Sequence, residues 1–597
     1  MEENKKDSKM DWKKIFDKKH WKIYAIVLAV LALVATLIVW WCTRTSTDTP
    51  ERIDGKLVLT RVSISGGNSP AEKNAVAELQ KYLQKKGVHI TNTNAFPITV
   101  SIDSSLGEDA FMVKATVGED KFEQLSITGG NGRGVLYGVY QFLEKYASVR
   151  FFTPELEICE KGTVAIPDGV LLDVSPTFDM RHTDWYNWMT EDAKYEWAVK
   201  NGVNIMNGWK RSWSESLGGS ICYAPDLFVH SISRLLADPN VSSPATSPNP
   251  CLSDENVYNT VLANVRKALE KDPNTKIVSI SQNDNQSYCH CEKCSETDAL
   301  EGSPAGTLLR FVNRIAADLE ADYPDLTIDT LAYQYTRKAP AVTKPRDNVC
   351  IRLCSIECHF NHPLTTESCE VCSKFREDIQ DWSEICDNLY VWDYTTNYRY
   401  YLTTFPNFHV LRENMQFFAS HNVKGVFEQG NGNSRSGEFG ELRAYLIAKL
   451  LMNPDMTAEE YDRHMTEFMQ AYYGAGWENV RQYLDTFTNF ATESSVGMGI
   501  YSSPFTVFSH DDLTELEQTL NSLWDAAEAL AGDRLDAVKR SRWQLRYLLL
   551  YIHPDEATAK QLIDEAAALN VAWREGLWHV SPSSNLSLPP DTWSFTK

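Results

Sequence analysis

From residue 177 to residue 429 the chain repeats one rhythm: short apolar runs that end in polar or aromatic residues, separated by helical stretches. The runs are 178–185, 203–207, a weaker one at 223–230, 276–284, 326–335, 348–357, 388–394 and 423–429. Strands buried on both faces read as continuous apolar runs, and parallel neighbours need long, usually helical, crossovers. Eight such units in about 260 residues match the size of a (β/α)8 barrel. The fold class is therefore α/β, with a TIM-like barrel expected over 177–440.

The flanks differ from this core. Residues 56–172 alternate strand and helix patterns and make a small α/β domain. Its glycine run, Gly129-Gly130-Asn131-Gly132-Arg133-Gly134, follows a strand and opens a helix. The spacing is not that of a dinucleotide fingerprint, so a tight turn packing helix on sheet is expected instead. Residues 441–597 read as a helical bundle with short loops. At the other end, residues 23–41 are uncharged and apolar over a length that crosses a bilayer. Eight lysines precede them and Arg44 alone follows closely. The positive-inside rule puts residues 1–22 in the cytoplasm as a basic tail, 23–41 across the membrane, 42–55 as a linker and the bulk outside, periplasmic or extracellular. Trp40 and Trp41 stand where a cleavage site needs small residues, which favours an uncleaved signal anchor over a signal peptide.

The formal net charge is −22, which excludes a nucleic-acid binder with a basic face. In a barrel, function sits where strands end. Four runs carry an acid at or next to their ends: Asp284, Glu357, Asp393 and Glu428. Two carboxylates flanking a glycosidic bond can split it, one protonating the leaving oxygen and the other attacking or activating water. Single acids at these ends could equally pair with arginines. Aromatic and amide residues crowd the same ends. Trp185, Trp209, Tyr333, Trp392 and Tyr394 offer faces for sugar rings, and Asn283, Gln334 and Gln429 offer partners for hydroxyls. Arg337, Lys338 or Arg352 would supply a cation for an acidic sugar.

Cys289, Cys291 and Cys294 form a C-x-C-x-x-C cluster directly after the fourth run. The spacing suits a structural zinc with a fourth ligand from Cys251, Cys222 or His290. Disulfides compete in an oxidising compartment, with Cys251 or within Cys369-x-x-Cys372, and free thiols are the third possibility. Either staple would hold the loop carrying Asp284. No cofactor is needed for the chemistry proposed.

The stretches SISQNDNQSYCHCEKCSETDALEGSPAGTLLRFVNRIA, IDTLAYQYTRKAP and RLCSIECHFNHPL resemble a bacterial family, frequent in Bacteroidetes, known as domain of unknown function 4838. The resemblance runs from about residue 201 to 453. LSITGGNGRGVLYGVYQFLEKYASVRFFTP is similar to the N-terminal domain of family 67 α-glucuronidases and bacterial β-hexosaminidases. That domain order implies a glycoside hydrolase-like protein. It departs from both models: hexosaminidases need two adjacent acids where this chain has Asn283-Asp284, and α-glucuronidases use a glutamic acid where Asp284 stands. The reading is a membrane-anchored glycoside hydrolase, with Asp284 as general acid, Glu357 as its partner, and Glu428 or Asp393 as substitutes. Its rivals are a noncatalytic glycan-binding protein on the same scaffold and a surface scaffold that binds a protein through its C-terminal helices.

Overall fold

The computed structural model describes residues 21–44, 51–117, 122–210, 212–236 and 248–575. Residues 56–174 build a six-stranded mixed sheet ordered 169–174, 111–117, 122–129, 96–102, 61–66, 89–90. Helices Pro70–Lys86 and Gly132–Ala147 pack against it. The glycine run works as a close-packing turn. A Cβ on Gly129 would lie 2.0 Å from the Val135 nitrogen, and one on Gly130 would lie 1.6 Å from the Gly107 carbonyl oxygen. Buried Asp109 then ties this layer to the next: it accepts from Arg133 and from Arg181, each at 2.7 Å.

The central layer is a curled six-stranded parallel sheet. Around it the strands run Met180–Thr183, Val423–Gln429, Leu389–Tyr394, Val349–Cys354, Thr327–Ala332 and Ile277–Ser279. The two remaining expected strands are reduced to single parallel bridges, His182 with Ile205 and Tyr223 with Ile277. The Ile221 N–H donates to the Asn204 carbonyl between them at 3.1 Å. Pro225 and Asp226 (φ +65°) explain the loss of the third strand, because proline cannot donate to a ladder and the left-handed residue turns the chain away. Helices pack against the sheet and continue past it as Gly440–Met452, Ala458–Tyr473, Trp477–Glu493, His510–Leu530, Leu535–Ser541, Trp543–Ile552 and Glu556–Leu569.

The segment expected to be an anchor is the helix Trp21–Arg44. Its side chains Ile26, Val27, Leu28, Val30, Leu31, Leu33 and Val34 are exposed. The basic tail, residues 1–20, lies outside the described residues, as do the helix's side chains from residue 37 onward. Among the described residues no helix is long and apolar enough to cross a membrane, so the spanning segment expected from the sequence is not found there.

Candidate active site

Side chains alternate along a strand, and that alternation decides which residues reach the barrel mouth. Trp392 and Tyr394, Phe427 and Gln429, Leu331 and Tyr333, and Cys354 all line one cavity of about 270 Å³. Trp209, Phe228, His230, Asp184, Asp284, Tyr501 and Glu575 complete it. Of the residues expected at the site, the structure brings together Asp284, Trp209, Tyr333, Trp392, Tyr394 and Gln429. The Tyr333 hydroxyl donates to Asp284 Oδ1 at 2.9 Å and accepts from Gln334 Nε2 at 2.8 Å. Trp392 Nε1 donates to Gln429 Oε1 at 2.9 Å. His230 (φ +49°) and Gln334 (φ +54°) hold left-handed backbone, a strained conformation for such residues that clusters at functional sites.

The other expected residues lie elsewhere. Because Trp392, Tyr394, Phe427 and Gln429 face inward, Asp393 and Glu428 face the opposite side of the sheet, toward the surrounding layer. They are neighbours in register on adjacent strands, and each is 2% exposed. Ser355 donates its hydroxyl to Asp393. Glu357 is held by Arg337 at 2.9 Å in a neighbouring surface groove with Gln334 and Lys338. Arg337 also holds Asp378 at 2.6 Å, so both its faces are engaged. Arg352 is fully buried on Asp329, below the cavity. Trp185 donates to Thr395 Oγ1 at 3.2 Å, and Asn283 donates to Ser233 Oγ at 2.5 Å; both are buried outside the cavity.

Two acids that sequence reading passed over line the cavity instead. Asp184 directly follows the first strand, the same kind of position that flagged Asp284, so its signal was present. It accepts the Gly430 N–H at 2.7 Å, and burial pushes its carboxyl up to about 7. Glu575 arrives from the far end of the chain and had no local signal. Burial raises its carboxyl, the nearby Asp284 charge adds to that, and a 3.4 Å bond from the Tyr501 hydroxyl opposes it. Among the described residues lining the cavity there is no lysine or arginine. An acidic sugar would find no counter-charge there, contrary to the expectation built on Arg337, Lys338 and Arg352.

Burial, and then the Asp393 charge, push the Glu428 carboxyl well above its ordinary range, and Oε2 has no hydrogen-bond partner. The folded state therefore keeps a proton that the unfolded chain releases above about pH 4.5. Stability must fall as pH rises from there toward the folded-state pKa. Glu428→Gln is expected to raise stability at pH 7 and to change little near pH 4. Thermal unfolding across that pH range checks this; a gain that is the same at every pH would overturn the proton argument.

The cysteine cluster is gathered with a fourth thiol. Cys251, Cys289, Cys291 and Cys294 place their sulfurs within 4.8 Å of one another. Cys251 Sγ lies 3.7 Å from Cys291 Sγ and 3.9 Å from Cys294 Sγ. Zinc–sulfur bonds of about 2.3 Å in a tetrahedron give edges of about 3.8 Å, whereas a disulfide needs about 2.05 Å. Backbone ties flank the cluster: the Asn249 N–H donates to the Ser287 carbonyl at 3.1 Å, and the Asn283 N–H donates to Asn249 Oδ1 at 2.8 Å. The cluster thus joins the 248–254 segment to the loop that carries Asp284.

The model of one protein family matches residues 151–485, more than half the chain. The chain belongs to the family described as a domain of unknown function, DUF4838. No curated protein matches it. Among solved structures, this DUF4838 protein is similar to a GH138 enzyme targeting pectin rhamnogalacturonan II, at 10% identity and a TM-score of 0.42, over 85% of this chain and 72% of that one. It is also similar to a β-N-acetylhexosaminidase from Bacteroides fragilis, at 12% identity and a TM-score of 0.41, over 70% and 92%. A family 89 glycoside hydrolase from Clostridium perfringens matches at 10% identity and a TM-score of 0.47, over 83% and 62%.

Proposed function

We propose that this DUF4838 protein is a glycoside hydrolase acting on a neutral sugar. The observation that carries the reading is the pair Asp184 and Asp284 in one aromatic-walled cavity at the strand ends, with the Asp184 carboxyl pushed up to about 7. A carboxyl still protonated near neutral pH suits the general acid, and the exposed Asp284, oriented by Tyr333, suits the base or nucleophile. The roles assigned from sequence therefore shift: Asp284 moves from acid to partner, and Asp184 replaces Glu357 in the pair. A cavity this small, at the lower edge of ligand-site volumes, favours a terminal sugar over the middle of a polysaccharide. Trp209, Trp392 and Tyr394 supply stacking faces, and Gln429 and His230 supply polar contacts. The cavity lies outside the cell membrane in this reading. The scaffold alternative finds little support, since the large exposed hydrophobics of the helical region are Val496, Tyr501, Leu530 and Leu569 only, among the described residues.

A panel of neutral and uronic oligosaccharides, screened with the full chain for both binding and reducing-end release, tests the reading. Release from neutral glycans is expected. Binding without release would replace the hydrolase by a glycan-binding protein, and release from uronic substrates alone would overturn the choice of a neutral sugar.

Zinc on the four thiols Cys251, Cys289, Cys291 and Cys294 completes the proposal, as a structural staple for the Asp284 loop. Cys251→Ser is expected to remove about one zinc per chain by elemental analysis and to cost several kcal/mol of stability. A disulfide among these four in a non-reduced peptide map would overturn it.

A further inference from the structure

A second cluster of metal-binding side chains sits behind the loop at 496–500, where the sequence suggested at most a disulfide. His359, His362 and Cys369 place one ligand atom each within 4.8 Å of one another. His359 Nδ1 lies 3.3 Å from Cys369 Sγ. A tetrahedral zinc with bonds of about 2.0 Å to nitrogen and about 2.3 Å to sulfur has an N···S edge of about 3.5 Å. His362 Nδ1 is 3.1 Å from the Pro363 carbonyl. That bond takes the Nδ1 proton and leaves Nε2 with its lone pair free to ligate, the usual orientation of a ligating imidazole. Cys372 lies one helical turn beyond Cys369. Its backbone N–H donates to Cys369 Sγ at 3.4 Å, and its thiol lies 3.9 Å from the His359 carbonyl oxygen, beside the grouping of the other three donors.

We propose that His359, His362, Cys369 and Cys372 form a second structural site for a zinc-class transition metal. Thiolate and imidazole donors select this class over magnesium or calcium. Four protein donors leave no open position, and none of the four lines the cavity, so the metal is a brace and takes no part in the chemistry. What it braces is the cavity wall. The segment between the two histidines holds the loop at 496–500: the Phe360 N–H donates to the Met498 carbonyl at 2.8 Å, and the Met498 N–H donates to Asn361 Oδ1 at 2.7 Å. A Cβ on Gly497 would fall 1.8 Å from His359 Nδ1, so the loop closes directly on the imidazole. Tyr501, the next side chain into the cavity, bonds Glu575. Metal on His359 and Cys369 would therefore fix the Tyr501 part of the cavity wall, as the four-thiol cluster would fix the Asp284 loop.

Elemental analysis of the purified full chain is expected to give about two zinc atoms. Cys251→Ser should leave about one, and adding His362→Ala should leave none. In the Cys251→Ser background, cobalt substitution should give the intense visible bands of a tetrahedral site with mixed nitrogen and sulfur donors. If the His362→Ala chain fails to fold, zinc X-ray absorption on the unaltered protein decides: a sulfur-to-nitrogen ratio near 3:1 is expected from two such sites, and sulfur alone would overturn the proposal. A single zinc that disappears with Cys251→Ser, or a disulfide of Cys372 with Cys369 or Cys358, would overturn it too. A single zinc that survives Cys251→Ser and is lost with His362→Ala would support this site while removing the four-thiol one.

Discussion

Asp184→Asn is expected to lower kcat on a neutral glycoside by about 10²–10⁴-fold with the Kd for the sugar nearly unchanged, because a positioned proton donor contributes about that much. Asp284→Asn should do the same or more, since it removes the group that attacks or activates water. The two differ in their pH signatures. Asp184 must carry its proton to act, and burial holds its carboxyl up to about 7. In the native protein kcat/KM should therefore fall as pH rises through about 7. That limb should be absent from the residual activity of Asp184→Asn and retained in Asp284→Asn. A leaving group that needs no protonation, such as an activated aryl glycoside, should rescue Asp184→Asn but not Asp284→Asn. If both variants hydrolyse normally, the pair is not the catalytic one. Glu575 is then the next acid to change, since it shares the cavity and sits close enough to Asp284 for the two charges to raise its pKa.

Much of the fold was legible because buried parallel strands announce themselves as continuous apolar runs. The seventh and eighth runs end within a residue of the observed strands Leu389–Tyr394 and Val423–Gln429. The weak run at 223–230 was weak for a physical reason: Pro225 cannot join a ladder, and only a bridge at Tyr223 remains. The site was half legible. Asp284 follows its strand and reaches the cavity, as expected. Asp393 and Glu428 stand inside their strands, where period two decides the face, and the aromatic neighbours that face inward force these acids outward. Asp184 obeyed the same rule as Asp284 and could have been found by it. Glu575 and Tyr501 could not, because the helical region that delivers them is set by tertiary packing and no local pattern marks it. Cys251 was legible as a thiol in search of partners, whereas His359 and His362 had no reading until the fold set them against Cys369.

Arg352→Met is expected to cost about 3–5 kcal/mol of folding stability, the range for removing one partner of a buried pair. Arg352 lies two residues before Cys354 on its strand and Asp329 two before Leu331 on the next, so both point inward one layer below the cavity. Both side chains are completely buried. Arg352 Nε donates to Asp329 Oδ2 at 2.8 Å, Nη2 donates to the Phe228 carbonyl at 3.0 Å, and the Tyr223 hydroxyl donates to Asp329 Oδ2 at 3.1 Å. Methionine keeps the length of the side chain but leaves the Asp329 charge with one neutral donor. Adding Asp329→Leu should return most of the loss, because an apolar pair of similar volume removes the stranded charge. Urea midpoints of the two single variants and the double variant close the cycle, and simple additivity would show that the pair is not coupled. The same substitution reaches the site. The guanidinium lies 4.6 Å from the Phe228 ring centre and 5.4 Å from that of Trp392, and both rings form the cavity floor. Sugar affinity should therefore fall in Arg352→Met and stay low in the double variant, whose restored stability brings back no cation beneath the rings. A double variant that regains both stability and affinity would mean that the charge pair serves the barrel alone and that the floor needs only volume beneath it.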